Sequence, residues 1–283
     1  MDIYLLEAIV NGILLGGVLA LLALGLNLIF GVIDVVWIAY ADIVMCGMYV
    51  VYWLHAFGWP LPLACAVAIV ALAVFGVLVH LLIIEPILGS APINQLLATG
   101  GLLFFLQSFA TLLFGTDFMN IGVRLPIIDF GDIYISFSRL IAFVLALVGA
   151  VVLFFFLRRS FIGTAMRAIA QDRDIIGLMG VDQRRIYIIT SMIGGALAGL
   201  AACLLVLQYD VHPYIGNTFG PLIFMICVLG GLGDMIGGFI AAFVISQIIS
   251  IGGYYSNTEL SYVLAFTFFI VLMFVRPRGI FAR

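Results

Sequence analysis

Nine apolar runs, most of about 20 residues, divide this chain at 5–31, 35–54, 62–84, 94–114, 133–157, 186–208, 219–231, 235–251 and 259–275. A segment that long and that apolar matches a ~30 Å hydrocarbon core crossed by a helix, and a barrel strand would alternate polar and apolar residues instead. In lipid a helix satisfies its own backbone, so the pattern predicts an all-α, polytopic transmembrane helical bundle with about eight or nine membrane segments. Composition leaves no soluble alternative. Hydrophobic residues make up 66% of the 283, charged residues only 9%, and the mean hydropathy is +1.34, whereas soluble domains run near half apolar and a quarter charged. No interval between runs is long enough for a soluble domain, so residues 1–283 read as one transmembrane domain. The start Met1-Asp2, with Glu7 close behind, lacks a basic region before the first run, which is therefore expected to remain as a span.

The charged residues narrow the function. All eleven basic residues are arginine. Without lysine the G-x-x-x-x-G-K-[ST] phosphate loop cannot be built, so ATP hydrolysis is expected elsewhere, and Schiff-base chemistry is excluded on the same ground. Cys46, Cys65, Cys203 and Cys227 stand singly in apolar runs, and His55, His80 and His212 are isolated, so neither a metal nor a cofactor is expected. Six arginines fall within Arg158–Arg185 and three more are Arg276, Arg278 and Arg283. Basic loops mark the cytoplasmic side. Both clusters can lie there only if an even number of crossings separates them, which requires a break at Gly230-Gly231-Leu232-Gly233-Asp234, either between two spans or within a re-entrant hairpin. The expected orientation is N-terminus periplasmic and C-terminus cytoplasmic, in a bacterial inner membrane.

The loop 158–185 carries the chain's most distinctive polar sequence. Thr164 is expected to cap a short helix from Ala165 and Gly177 or Gly180 to end it, with Met166, Ile169, Ala170 and Ile176 on one apolar side and Arg167, Gln171 and Asp174 elsewhere. Such a helix either lies on anionic headgroups or enters a groove on a soluble partner. Inside the spans, Asp42 is the clearest costly residue, with Trp37 and Tyr40 just before it. It reads either as an acid beside a substrate path, able to receive an ammonium group, or as a structural acid paired with a neighbouring helix. Gln107 is a second polar candidate, and Asn11, Asn27, Asn94, Gln95 and Gln247 are weaker ones because amides also join helices.

Four stretches in order resemble the permeases of branched-chain amino acid ABC importers, the Liv-type permeases: GTAMRAIAQDRDIIGLMG from Gly163, SMIGGALAGLAA from Ser191, VLGGLGDMIGG from Val228 and FVRPRGIF from Phe274. The resemblance covers nearly the whole chain. Where the family reads close to I-N-F-A-H-G-E, this chain reads VWIAYAD over Val36–Asp42 and keeps an acid one methylene shorter. The resemblance implies that the first stretch is a coupling helix docking on an ATPase subunit, with Arg167, Ala168, Gln171, Asp172, Arg173 and Gly177 as contacts or shape determinants. It further implies a homologous permease, ATP-binding subunits and a periplasmic solute-binding protein as partners, with surrounding lipid and no nucleic acid. The expected cargo is branched-chain or similarly apolar amino acids. Urea, amides or small aromatic acids are the alternatives within this class, and an ion-coupled secondary transporter is the alternative outside it.

Overall fold

A computed structural model describes residues 3–123, 127–130, 133–172, 180–276 and 279–280. Its helices are α1 (Ile3–Ile33), α2 (Tyr40–Ala56), α3 (Leu61–Val79), α4 (Pro92–Phe114), α5 (Phe137–Arg159), α6 (Phe161–Gln171), α7 (Gln183–Leu205), α8 (Ile215–Gly230), α9 (Met235–Tyr255) and α10 (Thr258–Val275). Among the described residues seven helices are long and apolar enough to cross a membrane, and α8 is a shorter apolar one. The chain is a multi-span helical membrane protein.

The centre of the bundle is α1, whose apolar window is 83% buried, against 11% for α10 at the periphery. Helix α1 packs along α9 and also meets α5 and α7, while α3 lies along α7. Small residues make the second pair close: an added Cβ on Gly199 would lie 2.7 Å from Ile69 Cα, and one on Gly195 would collide with the Leu72 carbonyl oxygen. Van der Waals packing across such small-residue seams replaces the hydrophobic drive that lipid removes. Amides join further helices. Arg139 Nη1 donates to Asn11 Oδ1 at 2.8 Å, and Gln247 Nε2 donates to the Ile9 carbonyl at 3.0 Å.

Three boundaries differ from the sequence expectation. The run at 35–54 is helical only from Tyr40; Asp34 has φ +60° and residues 34–37 carry no regular structure, so the chain turns back into the bundle before α2 starts. The run at 133–157 is helical from Phe137, because Ile133–Ser136 pairs antiparallel with Ile127–Phe130 in a two-stranded hairpin, a minor exception to the all-helical plan. The short loop helix starts at Phe161 and not Ala165. Its cap is Ser160, whose Oγ accepts from Gly163 N–H at 2.8 Å with the backbone extended, so Thr164 falls inside the first turn.

Helix α3 continues through a π-helical stretch, His80–Ile84, and a last turn, Glu85–Ile87. There the buried His80 Nδ1 lies 3.0 Å from Ser191 Oγ on α7, and Arg184 reaches Glu85 at 2.6 Å.

Candidate translocation site

Two helices begin inside the bundle. The non-helical segment before α2 brings Trp37 and Tyr40 inward, and α8 starts at Ile215 after the turns at 206–214. Between these starts lies a cavity of about 250 Å³. Trp37, Tyr40 and Ala41 line one side, Gly216, Asn217, Gly220 and Pro221 another, and Leu26, Leu103, Ile223 and Phe224 make most of the rest apolar. Non-helical backbone at membrane depth is tolerated where it borders such a space. Thr99 of α4 secures it, donating to the Val36 carbonyl at 3.0 Å. Tyr40 donates its hydroxyl to the Gly194 carbonyl at 3.2 Å, while the Trp37 indole N–H is buried without a partner.

Asp42 and Gln107 do not line this cavity but meet behind it. Gln107 Nε2 donates to Asp42 Oδ1 at 2.9 Å and to Asn217 Oδ1 at 2.8 Å. Asp42 is 1% exposed, and its Oδ2 has no hydrogen-bond partner. Its carboxylate also packs on the first turn of α8, where a Cβ on Gly216 would lie 2.8 Å from Asp42 Cγ. A helix N-terminus carries partial positive charge, so the acid lies where the helix dipole favours it. The sequence points to Trp37, Tyr40, Asp42 and Gln107 but not to Asn217, which joins the buried acid to the cavity.

The glycine-rich break lies at the end of the bundle where α1 finishes. Gly230 is the last residue of α8, Gly231 and Gly233 have φ of +100° and +84°, and Asp234 caps α9 by accepting from Ile236 N–H at 2.9 Å and Gly237 N–H at 3.1 Å. Asn27 of α1 holds the break from within: Gly233 N–H donates to its Oδ1 at 3.3 Å, and its Nδ2 donates to the Asp234 carbonyl at 3.2 Å. In the sequence Asn27 is one of several amides that read as packing, and nothing there ties it to the break. The C-terminal segment closes on the same place, with Ile280 N–H donating to the Leu229 carbonyl at 2.8 Å.

A vestibule of about 1050 Å³ separates this break from α6, bordered by Arg158, Arg167, Gln171 and Asp172 on one side and Gly231, Gly233 and Asp234 on the other. Met166 and Ile169 are buried against the bundle, Arg167, Gln171 and Asp172 are exposed, and Ala168 is half-buried. Of the remaining residues named for this loop, Arg173, Asp174, Ile176 and Gly177 lie outside the described residues. Among the described residues no group of three or more His, Cys, Asp or Glu could hold a metal.

The sequence model of a family described as the permease component of the branched-chain amino acid transport system matches residues 8–273. The chain is 29% identical to the high-affinity branched-chain amino acid transport system permease protein LivH of Escherichia coli (strain K12), covering 99% of this chain and 96% of that one. It is 29% identical to the permease protein BraD of the corresponding Pseudomonas aeruginosa system, covering 98% and 96%. A probable branched-chain amino acid transport permease protein LivH of Methanocaldococcus jannaschii is 26% identical over 87% of this chain and 80% of its own. Among solved structures, PsaBC from Streptococcus pneumoniae in complex with Fab aligns with a TM-score of 0.49 at 16% identity, over 95% of this chain and 91% of that one.

Proposed function

This chain belongs to the family of permease components of branched-chain amino acid transport systems, and from that premise we propose that it translocates branched-chain or similarly apolar amino acids through the cavity between the starts of α2 and α8. Hydrolysis of ATP belongs to separate subunits, which dock on α6 and the residues after it. A periplasmic binding protein delivers the cargo at the other end of the bundle, and a homologous permease completes the path.

The observation that carries this reading is the convergence of two interrupted segments on one largely apolar cavity backed by a buried polar cluster. Its size, below the ~300–1,000 Å³ of sites for drug-sized ligands, suits a small side chain. Trp37 and Tyr40 supply apolar faces; Asp42 and Gln107 supply the polar backing. The vestibule between α6 and the glycine-rich break lies on the side offered to the ATPase subunits.

Reconstitution with those subunits and the binding protein tests the reading. ATP-dependent leucine uptake is expected, and Trp37→Ala is expected to slow it about tenfold, the scale of ~1.4 kcal/mol, with the complex still assembled. Uptake unchanged in that variant would remove the cavity from the path.

A further inference from the structure

The polar groups around the cavity divide into those already engaged and those left over. Tyr40 spends its hydroxyl proton on the Gly194 carbonyl, and Thr99 shares its own between the Val36 and Gln95 carbonyls, each at 3.0 Å. The Gln107 amide is fixed by Asp42, because a carboxylate only accepts and so draws Nε2 toward itself. Both Nε2 protons are then used, at 2.9 Å on Asp42 Oδ1 and 2.8 Å on Asn217 Oδ1. That second bond fixes Asn217 in turn: its oxygen faces Gln107, and no described residue accepts from the Nδ2 of this exposed, cavity-lining side chain. Trp37 lines the same cavity, and its indole N–H is buried and unpartnered. One acceptor is also released, because Pro221 lies four residues after Asn217 inside α8 and brings no N–H to the Asn217 carbonyl.

We propose that Asn217 is the head-group contact for the transported amino acid: its Nδ2, helped by Trp37 Nε1, donates to the α-carboxylate, and its main-chain carbonyl accepts from the α-ammonium. This rests on the path proposed above and deepens it. Asp42 and Gln107 are positioning residues that act through the Asn217 amide, since Asp42 is 1% exposed and absent from the cavity wall. The N-terminus of α8 adds partial positive charge on the carboxylate side. The apolar remainder of the cavity takes the side chain.

The experiment measures initial leucine uptake by the complete importer in proteoliposomes, normalised to assembled complex. Asn217→Asp and Asn217→Ala are each expected to lower uptake about tenfold, the worth of one hydrogen bond to a charged group. Pro221→Ala, which favours the helix and returns an N–H to the carbonyl, is expected to lower it severalfold. Asp42→Asn lowers uptake alone but adds nothing to Asn217→Ala, because both act through one amide. Uptake within twofold of wild type in both Asn217 variants would overturn the proposal, as would a double variant whose loss is the product of the two singles. Absence of ATP- and binding-protein-dependent uptake in the wild type would instead overturn the path reading beneath it.

Discussion

At the scale of single residues, buried amides do more in this protein than their modest polarity suggests. Asn27 is fully buried and satisfies one donor and one acceptor of the backbone at the break. Replacing it by leucine keeps the branching but leaves the Gly233 N–H without its side-chain partner, at ~1–3 kcal/mol, while the Asp234 carbonyl keeps the Gly238 N–H at 3.0 Å. Asn27→Leu is therefore expected to lower the unfolding temperature of the purified protein and to weaken coupling, read as leucine moved per ATP; an unchanged melting curve would show that the break is held by its glycines alone. Gln107 was legible because it stands in the middle of an apolar run, where a polar residue is costly. Asn217 was not. It lies in the stretch Asp210–Thr218, which reads as a connection, and only the fold reveals that α8 already starts at Ile215 and carries Asn217 in its first turn beside the cavity.

At the scale of elements, hydropathy located each long apolar helix and failed where an apolar segment is not helical. Residues 35–39 are as apolar as any span, so the pattern could not separate a helix from buried irregular backbone; the signal available was Asp34, which adopts a left-handed conformation that ends α1. The hairpin was hidden in the same way. Ile133–Ser136 runs straight into the apolar α5, although its alternation Ile-Tyr-Ile-Ser has the two-residue period of a strand. Helix pairing is set by small residues, and here a sharp contrast is available. Gly199 faces the α3 backbone, whereas a Cβ added to Gly253 on α9 would meet nothing within 4 Å. Gly199→Leu is expected to part α3 from α7 at a cost of ~1–3 kcal/mol or more, as for overpacking in a dense core, while Gly253→Leu leaves stability within about 0.5 kcal/mol, typical of a surface change. Thermal unfolding in detergent checks both, and equal effects would deny the seam its structural role. For the loop after α6, Gly177→Arg is expected to leave the chain inserted but to weaken its hold on the ATPase subunits; co-purification with normal transport would reduce the loop to a lipid-contacting segment.

At the scale of the whole molecule, the described start of the basic loop and the residues just after α10, far apart in sequence, come together at one end. Arg158 and Arg167 border the vestibule that also touches Gly231–Ile236, and the C-terminal segment reaches the same break through Ile280 and Leu229. Helix α1 finishes there as well: a Cβ on Gly31 would lie 3.2 Å from Gly233 Cα. Between the clusters the chain leaves along α7, returns along the shorter α8, turns at the break, leaves again along α9 and returns along α10. Counting α8 as a short passage makes four, an even number, which is the arrangement expected if both basic segments lie on one side of the membrane. Basic residues retained on the cytoplasmic side during insertion would then set that end inward. The residue Met1 would be periplasmic and Arg283 cytoplasmic, with α6 turned toward the ATPase subunits. A fluorescent protein that matures only in the cytoplasm, fused after Arg283, is expected to be bright, and alkaline phosphatase at the same point inactive. Active phosphatase would invert the bundle, place α6 on the delivery side and take the ATPase-docking assignment with it.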